Sequence, residues 1–305
     1  MATKTDGITR RKMITGAGGM AALGVMATQT ACGGGGSSDA IKWDEVTDIV
    51  TVGSGIGGAT AAAVAKDNGD EVIIVEKAGF FGGTSSKTAG VIWVPNSVFL
   101  RDQGISDSKD DCLRYLARFS FPRDYHPDAE NLGLRASEYA LLEAFYDNAS
   151  VALDRLIKLG VLDAVEWRMW ALDRPTPDYL DNVEENKVAQ GRAVGVVDAE
   201  GNIGQGIELM GQMDRALKKM GVPVLLKHAA DRLVTDDSGR VIGLIAKHGD
   251  QEVAIKANKG VIFASGGYSH NTGYVADFQR VAVDGSCAMP VSTGDFLKIA
   301  SDVGA

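Results

Sequence analysis

Six consecutive residues near the start of the chain contain the spacing G-x-G-x-x-G: Gly53, Ser54, Gly55, Ile56, Gly57 and Gly58. This spacing is typical of a turn that holds a pyrophosphate. The first glycine permits a tight turn, the second lets the backbone approach the phosphates, and the third lets the following helix pack closely on the preceding strand. By itself the pattern is weak evidence, because glycine-rich turns without a ligand also match it.

A carboxylate follows at the separation that a dinucleotide site requires. Glu76 lies about 20 residues after the glycines, where a carboxylate accepts hydrogen bonds from the two hydroxyls of an adenosine ribose. Its negative charge would repel a 2′-phosphate. The sequence therefore disfavours NADP as the ligand.

The surrounding residues predict the elements that position these groups. Residues 48–52 are few and β-branched, as expected of a buried parallel strand. The alanine-rich residues 58–68 predict a helix whose N-terminus faces the phosphates, and residues 71–77 predict a second strand. Strand, glycines, helix, strand and terminal carboxylate within one unit of about 30 residues are strong evidence for dinucleotide binding.

The segment after Glu76 bears on the choice between FAD and NAD, which share this fingerprint. Residues 78–97 are rich in glycine, serine and threonine. An NAD-binding domain usually continues into a plain helix, whereas a loop of small hydroxyl residues suits an extended cofactor that lies along the backbone. The sequence favours FAD, and a nicotinamide-dependent dehydrogenase is the more distant alternative.

This loop carries a family resemblance. The stretch GGTSSKTAGVIWVPN, residues 82–96, resembles the flavin loop of the fumarate reductase and 3-ketosteroid Δ1-dehydrogenase group of FAD-dependent oxidoreductases. The ending WVPN is more similar to the ketosteroid branch. Relatives that attach FAD covalently have a histidine in this loop, whereas Ser85, Ser86 and Lys87 stand here. The resemblance therefore implies non-covalent FAD.

A second block extends the resemblance towards the end of the chain. KGVIFASGGYSHN, residues 259–271, reads as another buried strand and resembles the family's second glycine turn, which approaches the FAD pyrophosphate. VSTGDFLKIASDVGA, residues 291–305, resembles a family helix that places Asp295 near the ribityl or phosphate portion. Phe296 replaces a glycine there, and its side chain would either crowd the cofactor or point away.

The fingerprint and the resemblance together predict the cofactor contacts Gly53, Ser54, Gly55, Ile56, Gly57, Gly58, Glu76, Lys77, Gly83, Thr84, Ser85, Ala89, Gly90, Ala230, Ala264, Ser265, Gly266, Gly267 and Asp295. Ala230 is included because, in FAD folds of this type, the strand near residues 228–230 passes the adenine and its backbone can bind the base. Tyr179 and Arg192 lie in loop-like segments, where a polar side chain faces either a ligand or water, and water is the expected surrounding. No catalytic residue and no metal ligand are predicted.

The region between the two glycine blocks predicts helices and a β-meander. Amphipathic patterns cover residues 106–120, 135–160 and 205–220. Turns at residues 237–239 and 249–250 separate the strands of the meander. The predicted fold is therefore α/β, a Rossmann-like FAD-binding domain with a parallel sheet, a β-meander and a helical insert.

The resemblance implies an oxidoreductase that transfers a hydride between flavin N5 and a C–C or C=C bond of a small organic substrate. The reaction would be a ketosteroid-like dehydrogenation or a fumarate-like reduction. The implied electron-transfer partner is a haem protein or a quinone. Family members continue into a catalytic cap domain, which we expect to be missing beyond residue 305. The alternative is a truncated FAD-binding fragment without catalytic activity.

The first residues predict export rather than folding. Residues 1–31 combine Arg10 and Arg11 with a mild apolar run, which resembles a bacterial twin-arginine signal. Residues 32–46 form a Gly/Ser-rich linker, and residues 47–305 form the FAD-binding domain. Export would place the protein in the periplasm or at the cell surface, and at a membrane only if Cys32 is lipidated.

Composition argues against nucleic acid and against metal ions as ligands. The net charge of -9 argues against a nucleic-acid partner, because binding phosphates needs a positive field. The three cysteines and four histidines are scattered, so they predict neither a zinc site nor a disulfide framework.

Overall fold

The computed structural model of the protein describes residues 41–168, 174–188, 190–281 and 283–304. The strands in these ranges are β1 (Glu45–Val52), β2 (Val72–Glu76), β3 (Ile92–Trp93), β4 (Ala164–Glu166), β5 (Ala193–Val196), β6 (Val224–Leu226), β7 (Ala229–Thr235), β8 (Val241–His248) and β9 (Gln251–Phe263). The α-helices are α1 (Ile56–Asp67), α2 (Val98–Asp102), α3 (Lys109–Ser120), α4 (Ala136–Lys158), α5 (Gly206–Lys219), α6 (Thr272–Phe278) and α7 (Asp295–Ser301).

The main sheet contains six strands in the order β6-β2-β1-β9-β8-β7. The pairs β6–β2, β2–β1 and β1–β9 are parallel, whereas β7, β8 and β9 form an antiparallel meander. The predicted parallel sheet and β-meander are therefore confirmed. The carboxyl ends of the four parallel strands meet at one edge of the sheet, where α/β folds bind their ligands.

Residue type explains the parallel half of the sheet. All five residues of β2 are buried, as expected of a strand covered on both faces. Helix α1 packs on one face through small side chains, among them Ala59 and Ala62, and these meet Met213 and Leu217 of α5. Alanine lets α1 approach the sheet closely, so the turn between β1 and α1 is held firmly.

One sequence interpretation needs correction. The sequence predicts a separate buried strand at residues 259–263, but these residues are the second half of the single long strand β9. The first half of β9 pairs with β8, and the second half pairs with β1. Ile262 is 39% exposed, so this half is only partly covered.

The insert between β2 and α5 contains the predicted helices and a small sheet that was not predicted. Helices α3 and α4 begin and end within three residues of the expected bounds. The second sheet is antiparallel, in the order β3-β5-β4. Its strands have only two to four residues, which is too short for a clear pattern in the sequence.

A buried ion cluster lies at the centre of this insert and corrects the expectation that Arg192 faces water. Arg192 is fully buried and donates two hydrogen bonds to Asp107, at 2.8 and 2.9 Å, and one to Asp178, at 2.9 Å. Its guanidinium carbon lies 5.3 Å from the Trp93 ring centroid and 5.1 Å from that of Tyr115. Burial raises the pKa of Asp178, although hydrogen bonds from Arg192 and Trp93 oppose this.

Tyr179 agrees with its expectation, since it is 80% exposed. The predicted export signal and most of the linker, residues 1–40, lie outside the described residues. Among the described residues, no helix has the length and apolar character needed to cross a bilayer. The same residues contain no group of three or more histidine, cysteine or acidic side chains that is arranged to hold a metal ion.

Candidate FAD site

A cavity of about 250 Å³ lies at the carboxyl edge of the parallel strands. It separates the end of β1 from the loops that follow β2 and β9. Its lining includes most of the predicted contacts: Gly53, Ser54, Gly55, Ile56, Gly57, Glu76, Lys77, Gly83, Thr84, Ser85, Ala230, Ala264, Ser265, Gly266 and Asp295. The fold thus brings together residues that are more than 200 positions apart in the chain.

Two glycines of the fingerprint are required by close backbone contacts. Gly53 has a φ of 101°, and a Cβ atom there would lie 2.5 Å from the carbonyl oxygen of Ala264. A Cβ atom on Gly58 would lie 1.9 Å from the carbonyl oxygen of Gly53. Both distances are far below van der Waals contact. The turn therefore brings β1, α1 and the end of β9 closer together than any side chain would allow.

The N-terminus of α1 faces this cavity without a side-chain cap. Gly55 occupies the N-cap position, and no acidic side chain lies in the first turn. The amide of Ile56 donates to the Ser85 hydroxyl at 3.1 Å, so the hydroxyl loop is docked on the helix end. The next amides, of Gly57 and Gly58, receive no capping side chain from Gly55, and together with the helix dipole they favour an anion such as a pyrophosphate.

Glu76 occupies the end of β2 and is already engaged by the protein. Its Oε2 atom accepts from the amide of Ser54 at 2.8 Å and from the Ser54 hydroxyl at 2.7 Å. Its Oε1 atom accepts from the amide of Ala78 at 2.6 Å. A carboxylate has about four acceptor positions. One position is left for a ribose hydroxyl, and a second hydroxyl would have to displace the rotatable Ser54 hydroxyl.

A polar bridge connects the end of β2 with the start of α7. Lys77 Nζ lies 2.7 Å from Asp295 Oδ2 and 2.7 Å from Thr293 Oγ1. Thr293 in turn donates to Asp295 Oδ1 at 2.8 Å. Lys77 and Asp295 are each 28% exposed. The lysine balances the charge of the aspartate, which allows an acidic side chain to lie beside an anionic ligand.

Four predicted contacts lie outside the cavity lining, and three of them have a structural role instead. Gly58 packs against Gly53, as described above. Gly90 has a φ of 73°, and a Cβ atom there would lie 2.6 Å from the backbone carbon of Gln205. The Gly267 carbonyl accepts from the amide of Gly294, one residue before Asp295. Ala89 is exposed. Their direct contact with a cofactor stays a prediction.

The cavity also includes residues that the sequence did not single out: Val52, Val75, Val291 and Ser292. The two strand valines directly precede predicted contacts at the ends of β1 and β2. That position in the sequence could have identified them as lining residues. Phe296 does not line the cavity. Its ring packs on Phe263 of β9, with 5.4 Å between the ring centroids, so it points away from the site.

These features fit a dinucleotide: a backbone cradle that no side chain can fill, an uncapped helix N-terminus, and a carboxylate at the neighbouring strand end. A family described as FAD binding domain matches residues 48–305. The chain belongs to this FAD-binding family. Its cofactor is therefore FAD, which the cleft residues would hold through its phosphates and adenosine ribose.

Known proteins of two kinds resemble this FAD-binding chain. It is 26% identical over 310 residues to a 3-oxosteroid 1-dehydrogenase of Mycolicibacterium smegmatis, covering 85% of this chain and 53% of that protein. It is 26% identical over 275 residues to an acrylate reductase flavoprotein subunit of Shewanella woodyi, covering 87% and 47%. The chain thus spans about half the length of the curated relatives it matches.

A solved structure shows the same fold. The 3-ketosteroid-Δ4-(5α)-dehydrogenase of Rhodococcus jostii superimposes with a TM-score of 0.70 at 23% sequence identity, covering 88% of this chain and 56% of that one. The predicted FAD-binding fold is confirmed by this match.

Proposed function

We propose that the chain is the FAD-binding part of an oxidoreductase that acts on a C–C or C=C bond of a small organic substrate. The observation that supports this is a cavity lined by fifteen of the predicted cofactor contacts, in a chain whose relatives include a steroid dehydrogenase and an acrylate reductase. Bound FAD supplies hydride transfer at its N5 atom. The residues of this chain fix the phosphates and ribose, and so set where the flavin ring lies.

The name of the Shewanella relative, a flavoprotein subunit, suggests a further partner. We propose that a haem protein or a quinone exchanges electrons with the flavin. Mixing the reduced chain with a soluble cytochrome c and with a water-soluble quinone should oxidise the flavin faster with one of them than with dissolved oxygen. Equal rates would contradict a dedicated partner of these two kinds.

Two assays test the reaction class. The FAD-loaded chain is incubated with a 3-ketosteroid and an artificial electron acceptor, and separately with fumarate or acrylate and reduced viologen. Turnover in the first assay supports dehydrogenation, and turnover in the second supports reduction. Failure to bind FAD would contradict the proposal, and stoichiometric FAD binding without turnover in either assay would favour the alternative, an FAD-binding fragment without catalytic activity.

We also propose that residues 1–31 direct export in a folded state. The support is in the sequence: Arg10 and Arg11 precede a mild apolar run, and FAD is inserted where it is made, in the cytoplasm. Replacing Arg10 and Arg11 together by lysine should leave the precursor inside the cell. Immunoblots of cell fractions measure this, and unchanged export of the double variant would contradict it.

A further inference from the structure

Three parallel strands end side by side along the cofactor cleft. The order β6-β2-β1 places their carboxyl ends about 4.8 Å apart from one strand to the next. A pyrophosphate at the N-terminus of α1 would lie above the end of β1, and a ribose at Glu76 would lie at the end of β2. An adenine attached to that ribose would then lie towards the end of β6.

His228 occupies this third position. The amide of His228 donates to the carbonyl oxygen of Glu76 at 2.8 Å. The amide of Lys227 donates to the carbonyl oxygen of Ala78 at 2.9 Å. Lys227 has a φ of 59°, a left-handed conformation that turns the chain between β6 and β7. His228 lines the same cavity as Glu76 and Ala230.

A second histidine supports the first from behind. The ring of His248, on β8, stacks on that of His228 with 4.4 Å between the centroids and 19° between the planes. Nδ1 of His228 lies 2.7 Å from the carbonyl oxygen of Leu226, and Nδ1 of His248 lies 3.2 Å from that of Lys227. His248 does not line the cavity. The ring of His228 is thus held in place by the stack and by the contact of its Nδ1 atom with Leu226, and the residue lines the cavity.

We propose that the His228–His248 pair is the platform on which the adenine of FAD packs. Bases stack on aromatic side chains because every base has a π-face, and a ring held in advance loses little freedom when the base arrives. His228 would touch the base, and His248 acts through His228 as a positioning residue. The inference rests on FAD occupying the cleft and is independent of which reaction the flavin performs.

The test is a calorimetric titration of FAD and of ADP, which carries the adenosine half alone, into the 305-residue chain and four variants. His228→Ala should weaken the binding of both ligands by about five- to a hundred-fold. His228→Phe keeps an aromatic ring and should stay within about three-fold of the parent. His248→Ala should give an intermediate loss. His126→Ala, at an exposed position outside the cavity, is the matched control and should change neither affinity.

Melting curves of each variant show that it is folded, and the phenylalanine variant tests the inference even where the alanine variant is unstable. The inference is overturned if His228→Ala binds both ligands as the parent does, if it loses FAD but keeps ADP, or if His228→Phe is as weak as His228→Ala. A parent chain that binds no FAD would also overturn it. Failed turnover with normal FAD binding would count only against the proposed reaction.

Discussion

The FAD cleft and the buried ion cluster of the insert both remove charged side chains from water, but the hydrogen bonds of these side chains are completed differently in the two regions. In the cluster, Arg192 bonds to Asp107 and Asp178, and its guanidinium lies against the rings of Trp93 and Tyr115. In the cleft, Glu76 keeps one acceptor position open, and Lys77 and Asp295 remain partly exposed. Charged side chains that bond to one another within a buried cluster have a structural role. A carboxylate with a free acceptor position at a cavity indicates a ligand site.

This comparison makes separate predictions for stability and for cofactor affinity. Changes in the cluster should lower the free energy of unfolding and leave the affinity of the folded protein for FAD unchanged. Changes in the cleft should weaken FAD binding and leave the free energy of unfolding nearly unchanged, except where a glycine is also required by the packing of the turn.

The largest expected effect is on the cluster. Arg192→Met leaves two buried carboxylates without their partner, which should destabilise the fold by about 3–5 kcal/mol. Urea unfolding of the variant and the parent measures this. Arg215→Met, which breaks an exposed pair with Glu208, is the control and should cost no more than about 1 kcal/mol. Equal losses in the two variants would show that burial of the cluster is not what makes it important.

The second largest effect is expected at the turn before α1. Gly58→Ala places a methyl group 1.9 Å from the carbonyl oxygen of Gly53, so the turn must shift. We expect a loss of about 1–3 kcal/mol in unfolding free energy together with weaker FAD binding. Gly57→Ala is the matched control for the unfolding free energy, since its Cβ would meet only the Ala264 methyl group at 3.6 Å. If Gly57→Ala destabilises the fold as much as Gly58→Ala does, the close contact does not explain the third glycine of the fingerprint.

The bridge across the cleft should contribute less. A double-mutant cycle with Lys77→Met and Asp295→Asn should give a coupling energy of about 0.5–1 kcal/mol in unfolding, because the pair is partly exposed. Lys77→Met alone should also weaken FAD binding, since Asp295 then lies unbalanced near the phosphates. Restoration of FAD affinity in the double variant is the expected signature. Additive losses of affinity would contradict a charge-balancing role.

The smallest effect is expected inside the sheet. Thr51 on β1 is fully buried, and its hydroxyl has no hydrogen-bond partner. Thr51→Val removes that unpaired hydroxyl at nearly constant volume, so the variant should be as stable as the parent or more stable, by up to about 1 kcal/mol. Thermal unfolding measures this. A clear loss of stability would indicate a partner for the hydroxyl that the structure does not show.

The two regions also differ in how far the sequence predicts them. The part of the cleft formed by β1, α1 and β2 is predictable from local sequence, because its glycines, strand ends and carboxylate occur at fixed spacings within about 30 residues. The sequence predicts two strands where the structure has the single strand β9, because Lys259 and Gly260 interrupt the apolar pattern. The cluster depends on contacts between Asp107 and Arg192, which are 85 residues apart, and no periodicity encodes that pairing.

The His228–His248 stack is equally non-local, since the two rings come from the end of β6 and from β8. At the level of sequence, only the family resemblance predicts that the backbone near His228 lies beside the adenine. It contained no signal that a second imidazole supports the first. Side-chain pairs of this kind become visible only when the register of the meander is known.

The FAD affinity of Glu76→Ala, measured by quenching of flavin fluorescence, tests the central claim most directly. The variant loses a charged acceptor for the ribose, which should cost about 1.5–3 kcal/mol, or roughly ten- to a hundred-fold in affinity. Glu71→Ala, just before the other end of β2, is the control and should bind FAD as the parent does. Glu76→Gln keeps the side-chain volume and should remain folded. Parent-like FAD affinity in Glu76→Ala would contradict the assignment of this cleft as the FAD site.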